Sequence, residues 1–213
     1  MLSERRALLP RARSGETRAQ LELAESYDFV TPRDRRRAEH WYQQAARAGD
    51  ATAQNAFGEF LREVREDRRA ATPWFRLAAA QGEPNAQVSL GYSLFYGEGA
   101  KRDRAQALVW YRKAAAAGQG RAMFNLACMF EVGAVVERNQ RQAIAWYRKA
   151  AALGNLRAQA ELGELLAETH LAEAVKFLVR AAQRGHARAQ CVLGVHYHNG
   201  LGVRRDLTKA ARF

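Results

Sequence analysis

The sequence predicts an all-α fold, an α/α superhelical solenoid of about six helix-turn-helix repeats, and three observations carry that prediction. The four tryptophans, Trp41, Trp74, Trp110 and Trp146, are 33, 36 and 36 residues apart, each with an alanine three residues before it and a glycine eight residues after it. A second frame, Ala19, Ala53, Ala86, Ala122, Ala158 and Ala189, recurs upstream of the aromatics at intervals of 31 to 36 residues, and five of these six alanines are followed by glutamine. Apolar or aromatic residues follow at the fourth and eighth places after each alanine, the i, i+4, i+8 stripe of a helix. Self-similarity at this period marks stacked supersecondary units, here two helices each.

The elements follow in order. Residues 1–18 form a partial or capping segment, because residues 7–15 fit the second half of an earlier unit, although Pro10 stands where a helix would be damaged. Five repeats are expected over 19–52, 53–85, 86–121, 122–157 and 158–188, and a truncated one over 189–213, where Ala210 and Phe213 repeat the alanine and aromatic positions. Within the repeats, Gly97-Glu98-Gly99 and Gly200-Leu201-Gly202-Val203 place glycines where the chain turns between helices, and Gly133-Ala134-Val135-Val136 is a degraded copy. The sixth position of each first helix is small (Ala24, Gly58, Gly91, Ala127, Gly163, Gly194), which costs helix propensity and implies close packing. Each tryptophan is expected to anchor the core between repeats.

The pattern A-Q-x-x-L-G-x-x-Y-x-x-G-x-G-V, followed by D, A, W-Y-x-K-A-A and G, resembles the Sel-one-like repeat (SLR) family, a bacterial relative of the tetratricopeptide repeat. The copies over 189–211 and 107–118 carry it best, and the resemblance spans essentially the whole chain. It implies a right-handed superhelix that holds a partner protein in its concave face, a scaffold or adaptor without catalytic residues. Some members resemble immunity proteins that neutralise a toxin or effector by capture.

At 100° per residue, first-helix positions 1, 5, 9 and 12 form one side and positions 3, 7, 10 and 11 the other, which is expected to line the concave face. In the third and fourth repeats these are Val88, Tyr92, Phe95 and Tyr96, then Phe124, Cys128, Glu131 and Val132, an apolar and aromatic set suited to binding a partner. The flanking repeats supply Glu25, Asp28, Glu59, Arg62, Glu63, Glu164 and Glu168. Counting Glu131, the ridge carries seven acids and one arginine, so of the net charge of +12 it holds −6 and the remainder +18. A partly basic, apolar peptide or helix is the expected ligand.

Other classes fit less well. Outward basic residues permit polyanion or nucleic-acid binding through the outer face, but they are interleaved with Glu39, Asp103, Glu137 and Asp206, and no groove-entering or base-stacking motif accompanies them. His196 and His198 are two apart on a helix and point in divergent directions, so no metal is expected. No nucleotide loop or nucleophile-base order suggests an enzyme or a cofactor. Only Cys128 and Cys191 occur, no secretory signal is found and no stretch is apolar enough to span a bilayer, so a cytoplasmic location without membrane insertion is expected. The repeats end without a polar outer face, so either the chain is a fragment or its end meets another copy.

Overall fold

The computed structural model describes residues 2–27 and 31–213, and every described element is helical. Two compact units, Met1–Ala117 and Gly118–Phe213, divide the chain. The first unit holds α1 (Leu2–Arg13), α2 (Thr17–Glu25), α3 (Pro32–Arg47), α4 (Ala51–Glu63), α5 (Arg68–Ala80), α6 (Pro84–Tyr96) and α7 (Arg104–Ala116). The second holds α8 (Gly120–Val132), α9 (Gln140–Ala152), α10 (Leu156–Leu165), α11 (Leu171–Gln183), α12 (Ala187–Asn199) and α13 (Leu207–Arg212). Inside each unit every helix packs on the next in sequence, the pattern of a stack of hairpins. Pro10 sits inside α1, which nevertheless packs on α2 and buries Ala12 against Ala19 and Leu23.

Local chemistry sets the helix boundaries. Asp50, Asp67, Asp103, Asn139, Asn155 and Asp206 each accept the backbone N–H three residues on, so one orphan donor at each of these helix starts is satisfied. At the other end Gly82, with φ +94°, lets the chain turn out of α5 while Glu83 N–H returns to the Ala78 carbonyl at 3.1 Å. The glutamine after the frame alanine is a strut to the preceding hairpin. Gln20 Nε2 donates to the Ala12 carbonyl at 3.0 Å, Gln159 to Ala151 at 3.2 Å and Gln190 to Ala182 at 3.1 Å.

The core of each hairpin depends on a residue the tryptophan spacing overshadows. Trp41, Trp74, Trp110 and Trp146 are only half-buried, whereas the next residue in each case, Tyr42, Phe75, Tyr111 or Tyr147, is buried, as is Leu178 in the fifth repeat. The reason is the helix turn of 100° between neighbours: it aims the second residue at the first helix and leaves the tryptophan on the flank. The partner on the first helix is the small sixth position. A Cβ on Gly58 would stand 2.6 Å from Phe75 Cε1, and one on Gly91 2.7 Å from Tyr111 Cε1; on Gly163 it would enter the Leu178 side chain. Small residues there let the side chain after the tryptophan position press against helix backbone, a contact found in both units.

Loops between the two helices keep one geometry even where sequence departs from it. Gly97 and Gly99 have φ +79° and +76°, and in the degraded copy Gly133 and Val135 have +73° and +72°. Val135 thus holds a left-handed conformation that costs a β-branched residue about 1–2 kcal/mol, and the surrounding hairpin maintains it. Where the linker is short, the first helix ends early: α10 has 10 residues, so Glu168, expected on its outer face, lies in the turn that follows.

Truncating Tyr111 should therefore cost more than truncating its tryptophan neighbour. In urea denaturation Tyr111→Ala is expected to lose about 3–5 kcal/mol and Trp110→Ala clearly less. The reverse order would contradict the assignment.

Candidate functional site

In the first unit the predicted ridge is built from α4 and α6. On α4, Arg62 forms an ion pair with Glu59, donates through Nε to Glu63 at 3.0 Å and lies over the Phe75 ring, 5.5 Å from its centroid. Glu59 also accepts from the Ser89 hydroxyl on α6 at 2.6 Å. These two acids are thus largely satisfied internally, and the shoulder is less acidic than the count of carboxylates suggests. Glu25, the last residue of α2, is exposed; Asp28 lies outside the described residues.

Tyr92 and Tyr96, one turn apart on α6, are 36% and 57% exposed, and their rings pack at 4.6 Å between centroids. Phe95 meets Tyr96 edge-on at 4.9 Å and carries the Arg104 guanidinium 5.1 Å from its own centroid. Partial burial raises the Tyr92 phenol above its ordinary range, with smaller contributions from the nearby Glu98 carboxylate and Tyr96. Val88 departs from expectation. It is only 2% exposed and cannot contact a partner.

The second unit holds the other half of the predicted set. Phe124 is also buried, at 5%: it packs on Tyr147 at 5.6 Å between centroids and lies under the Arg157 guanidinium at 4.6 Å. Position 3 lies one turn before the small sixth position, 60° from it around the helix, so it is covered by the second helix that packs there instead of facing the open ridge. Cys128 and Glu131 serve the Tyr147 hydroxyl. That hydroxyl donates to Glu131 Oε2 at 2.6 Å, so its oxygen is left to accept from the Cys128 thiol, 3.3 Å away. Burial pushes both the Cys128 thiol and the Tyr147 phenol up, and for the phenol the two hydrogen bonds add to it. Val132 is freely exposed.

Three ridge residues here were absent from the sequence reading: Arg157, Glu161 and Arg188. Arg188 on α12 forms an ion pair with Glu164 and reaches Glu161 at 3.8 Å. Burial holds the Glu161 carboxyl above the usual range, opposed by Arg188 and reinforced by Glu164 and Glu131. Arg157, Glu161 and Glu164 are related as i, i+4 and i+7, a helix face that could have been read from sequence had the position before the frame alanine been included. His196 is buried and binds the Leu201 carbonyl through Nδ1 at 2.9 Å, which pins the loop, while His198 is exposed. Among the described residues no cluster of three metal-type ligands occurs. Nor does any described helix have the length and apolarity to cross a membrane.

The Sel1 repeat matches residues 17–50, 55–83, 84–119, 120–155, 171–186 and 187–213. The chain belongs to the Sel1 repeat family. A Sel1 repeat protein from Oxalobacter formigenes has a similar structure, with TM-score 0.84 and 28% identity, covering 100% of this chain and 96% of that one. A protective antigen of uropathogenic Escherichia coli with an SLR fold aligns with TM-score 0.85 and 30% identity over 97% of this chain. The chain spans only 46% of that antigen's length. An immunity protein of Pseudomonas aeruginosa aligns with TM-score 0.57 and 18% identity, covering 87% of this chain and 75% of that one. No curated protein gave a match. Sel1 repeat proteins generally mediate protein–protein interactions, and their scaffold is typically non-catalytic.

The two thiols separate chemically. With iodoacetamide at about pH 8, exposed Cys191 is expected to react first and half-buried Cys128 at least about tenfold more slowly. Equal rates by mass spectrometry would show that the Cys128–Tyr147–Glu131 contact is not held.

Proposed function

We propose that this Sel1 repeat protein is a non-enzymatic adaptor that captures a partner protein through the concave face, lined by the open sides of its first helices. The observation that carries this reading is the aromatic group on α6, exposed Tyr92 and Tyr96 with half-buried Phe95 beside them. Aromatic side chains left at the surface with little entropy to lose are the usual anchors of protein interfaces. Carboxylates at Glu59, Glu63 and Glu98 border the group, each already held by an arginine. They suit a partner with apolar side chains and a few basic ones that can share these acids. In the second unit Cys128, Glu131 and Val132 offer a smaller surface, and Glu164 with Glu168 would flank it.

Neutralisation of a toxin is a narrower version of the same reading. Its support is the fold shared with the Pseudomonas aeruginosa immunity protein, which at 18% identity speaks to architecture alone. The two free cysteines suit a reducing, cytoplasmic location. Exposed Val195, Leu201 and Leu207 on the last hairpin favour contact with another copy there.

Affinity purification with mass spectrometry tests the ridge when wild type is compared with Tyr92→Ala/Phe95→Ala. The paired variant should lose the specific partners about tenfold or more while keeping its helical circular-dichroism spectrum. An unchanged set of partners would place the site elsewhere.

A further inference from the structure

Two adjoining cavities open on the first unit around the loop between α6 and α7, and they are lined by residues the ridge does not use. One, about 460 Å³, is bounded by Arg76, Leu90, Leu94, Lys101, Arg102 and Trp110, with Asp103 and Gln106 at its edge. The other, about 470 Å³, is bounded by Arg69, Thr72, Pro73, Arg76, Leu77 and Lys101. Arg76, Ala100 and Lys101 are common to both and form the divide. Among the described residues none of Arg69, Arg76, Lys101 and Arg102 has an ion-pair partner, although the same region pairs Arg68 with Glu98 at 2.7 Å. The acid present, Asp103, is occupied in capping α7 through the Gln106 N–H at 2.9 Å.

The loop is seated where it is by Gly99. An added Cβ there would collide with the Arg68 carbonyl and the Thr72 hydroxyl, so only glycine lets the loop lie on the start of α5 and brings Lys101 beside Arg69 and Arg76. The arrangement is not a by-product of the repeat. At the equivalent boundary one repeat on, Glu137 replaces Lys101, Ala105 replaces Arg69 and Lys113 replaces Leu77.

We propose that these cavities form a second binding site, which takes an acidic segment of a partner protein with apolar side chains interleaved among its carboxylates. Four unpaired cations line the walls and divide, and each cavity also offers an apolar wall: Pro73 with half-exposed Leu77 in one, Leu90, Leu94 and Trp110 in the other. A ligand with both kinds of group satisfies both kinds of wall. A nucleic-acid strand satisfies one. One face of the Trp110 ring is already taken by the Lys113 ammonium, 4.4 Å from its centre, which leaves less of the ring to stack a base. The site lies apart from Tyr92, Phe95 and Tyr96 in the residues that line it, so it stands whether or not the ridge is the main interface.

Fluorescence anisotropy with the full chain tests the site. The probe is a fluorescein-labelled peptide of about ten residues, glutamates interleaved with leucine and phenylalanine, at low ionic strength where such contacts are least screened. A peptide with serine at the apolar places and a labelled oligothymidylate of similar length are the comparisons. Arg76→Glu/Lys101→Glu should weaken binding of the first peptide at least about tenfold, whereas Lys176→Glu/Arg180→Glu, the same charge change on exposed α11 positions, should leave it within about twofold. The serine peptide should bind wild type more weakly. Equal losses in both paired variants, oligothymidylate binding as tight as the peptide, or no peptide binding at all would overturn the proposal.

Discussion

One contact sets the spacing of the two helices in the middle hairpins: the side chain after the tryptophan position pressed against a residue that has almost none. Phe75 on Gly58, Tyr111 on Gly91 and Leu178 on Gly163 are versions of it, and in the fourth repeat Tyr147 serves with Ala127 at the small position. A glycine in mid-helix costs up to about 1 kcal/mol of propensity against alanine. Burying a ring against backbone more than offsets this. Where the small residue is glycine, as at Gly58, Gly91 and Gly163, the opposing side chain fills the space a Cβ would need, so there the identities of the two residues are one constraint.

The outer surface follows from this packing. With the first stripe of each first helix committed to its hairpin and position 3 committed to neighbouring packing, positions 7, 10 and 11 remain for solvent or a partner. Those positions carry Tyr92, Phe95 and Tyr96 in one repeat and Cys128, Glu131 and Val132 in the next. The same hairpin geometry controls polar groups. A tyrosine buried at the packing point must place its hydroxyl, and Tyr147 does so through Glu131 and Cys128, which draws two ridge residues into structural service. At the end of the hairpin where α6 joins α7, the glycine-seated loop gathers cations around two cavities.

Repeat register, helix pairing and the small sixth position were legible from spacing alone, because periodic features survive in a single sequence when a unit is copied. Choosing between two adjacent aromatics was not: Trp110 and Tyr111 recur with the same period, and only the rotation between them decides which enters the core. Val88 and Phe124 were misplaced for a related reason. Position 3 is apolar whether it meets a partner or a neighbouring helix, and hydrophobicity does not distinguish the two. Charge arithmetic overstated the acidity of the ridge, since Arg157 and Arg188 approach it from positions outside the angular set, and Arg62, inside it, is bound to both Glu59 and Glu63. The end of α10, which moved Glu168 off its helix, was foreshadowed by the short fifth spacing.

The central claim is that ring and small residue form one unit, and a double-mutant cycle at Gly91 and Tyr111 tests it most directly. In the wild-type background Gly91→Ala should destabilise by about 1–3 kcal/mol, because its Cβ enters the ring. In a Tyr111→Ala background the ring is gone, and the same substitution should become stabilising by up to about 1 kcal/mol through helix propensity. A Gly91→Ala effect of the same sign and size in both backgrounds would contradict the account.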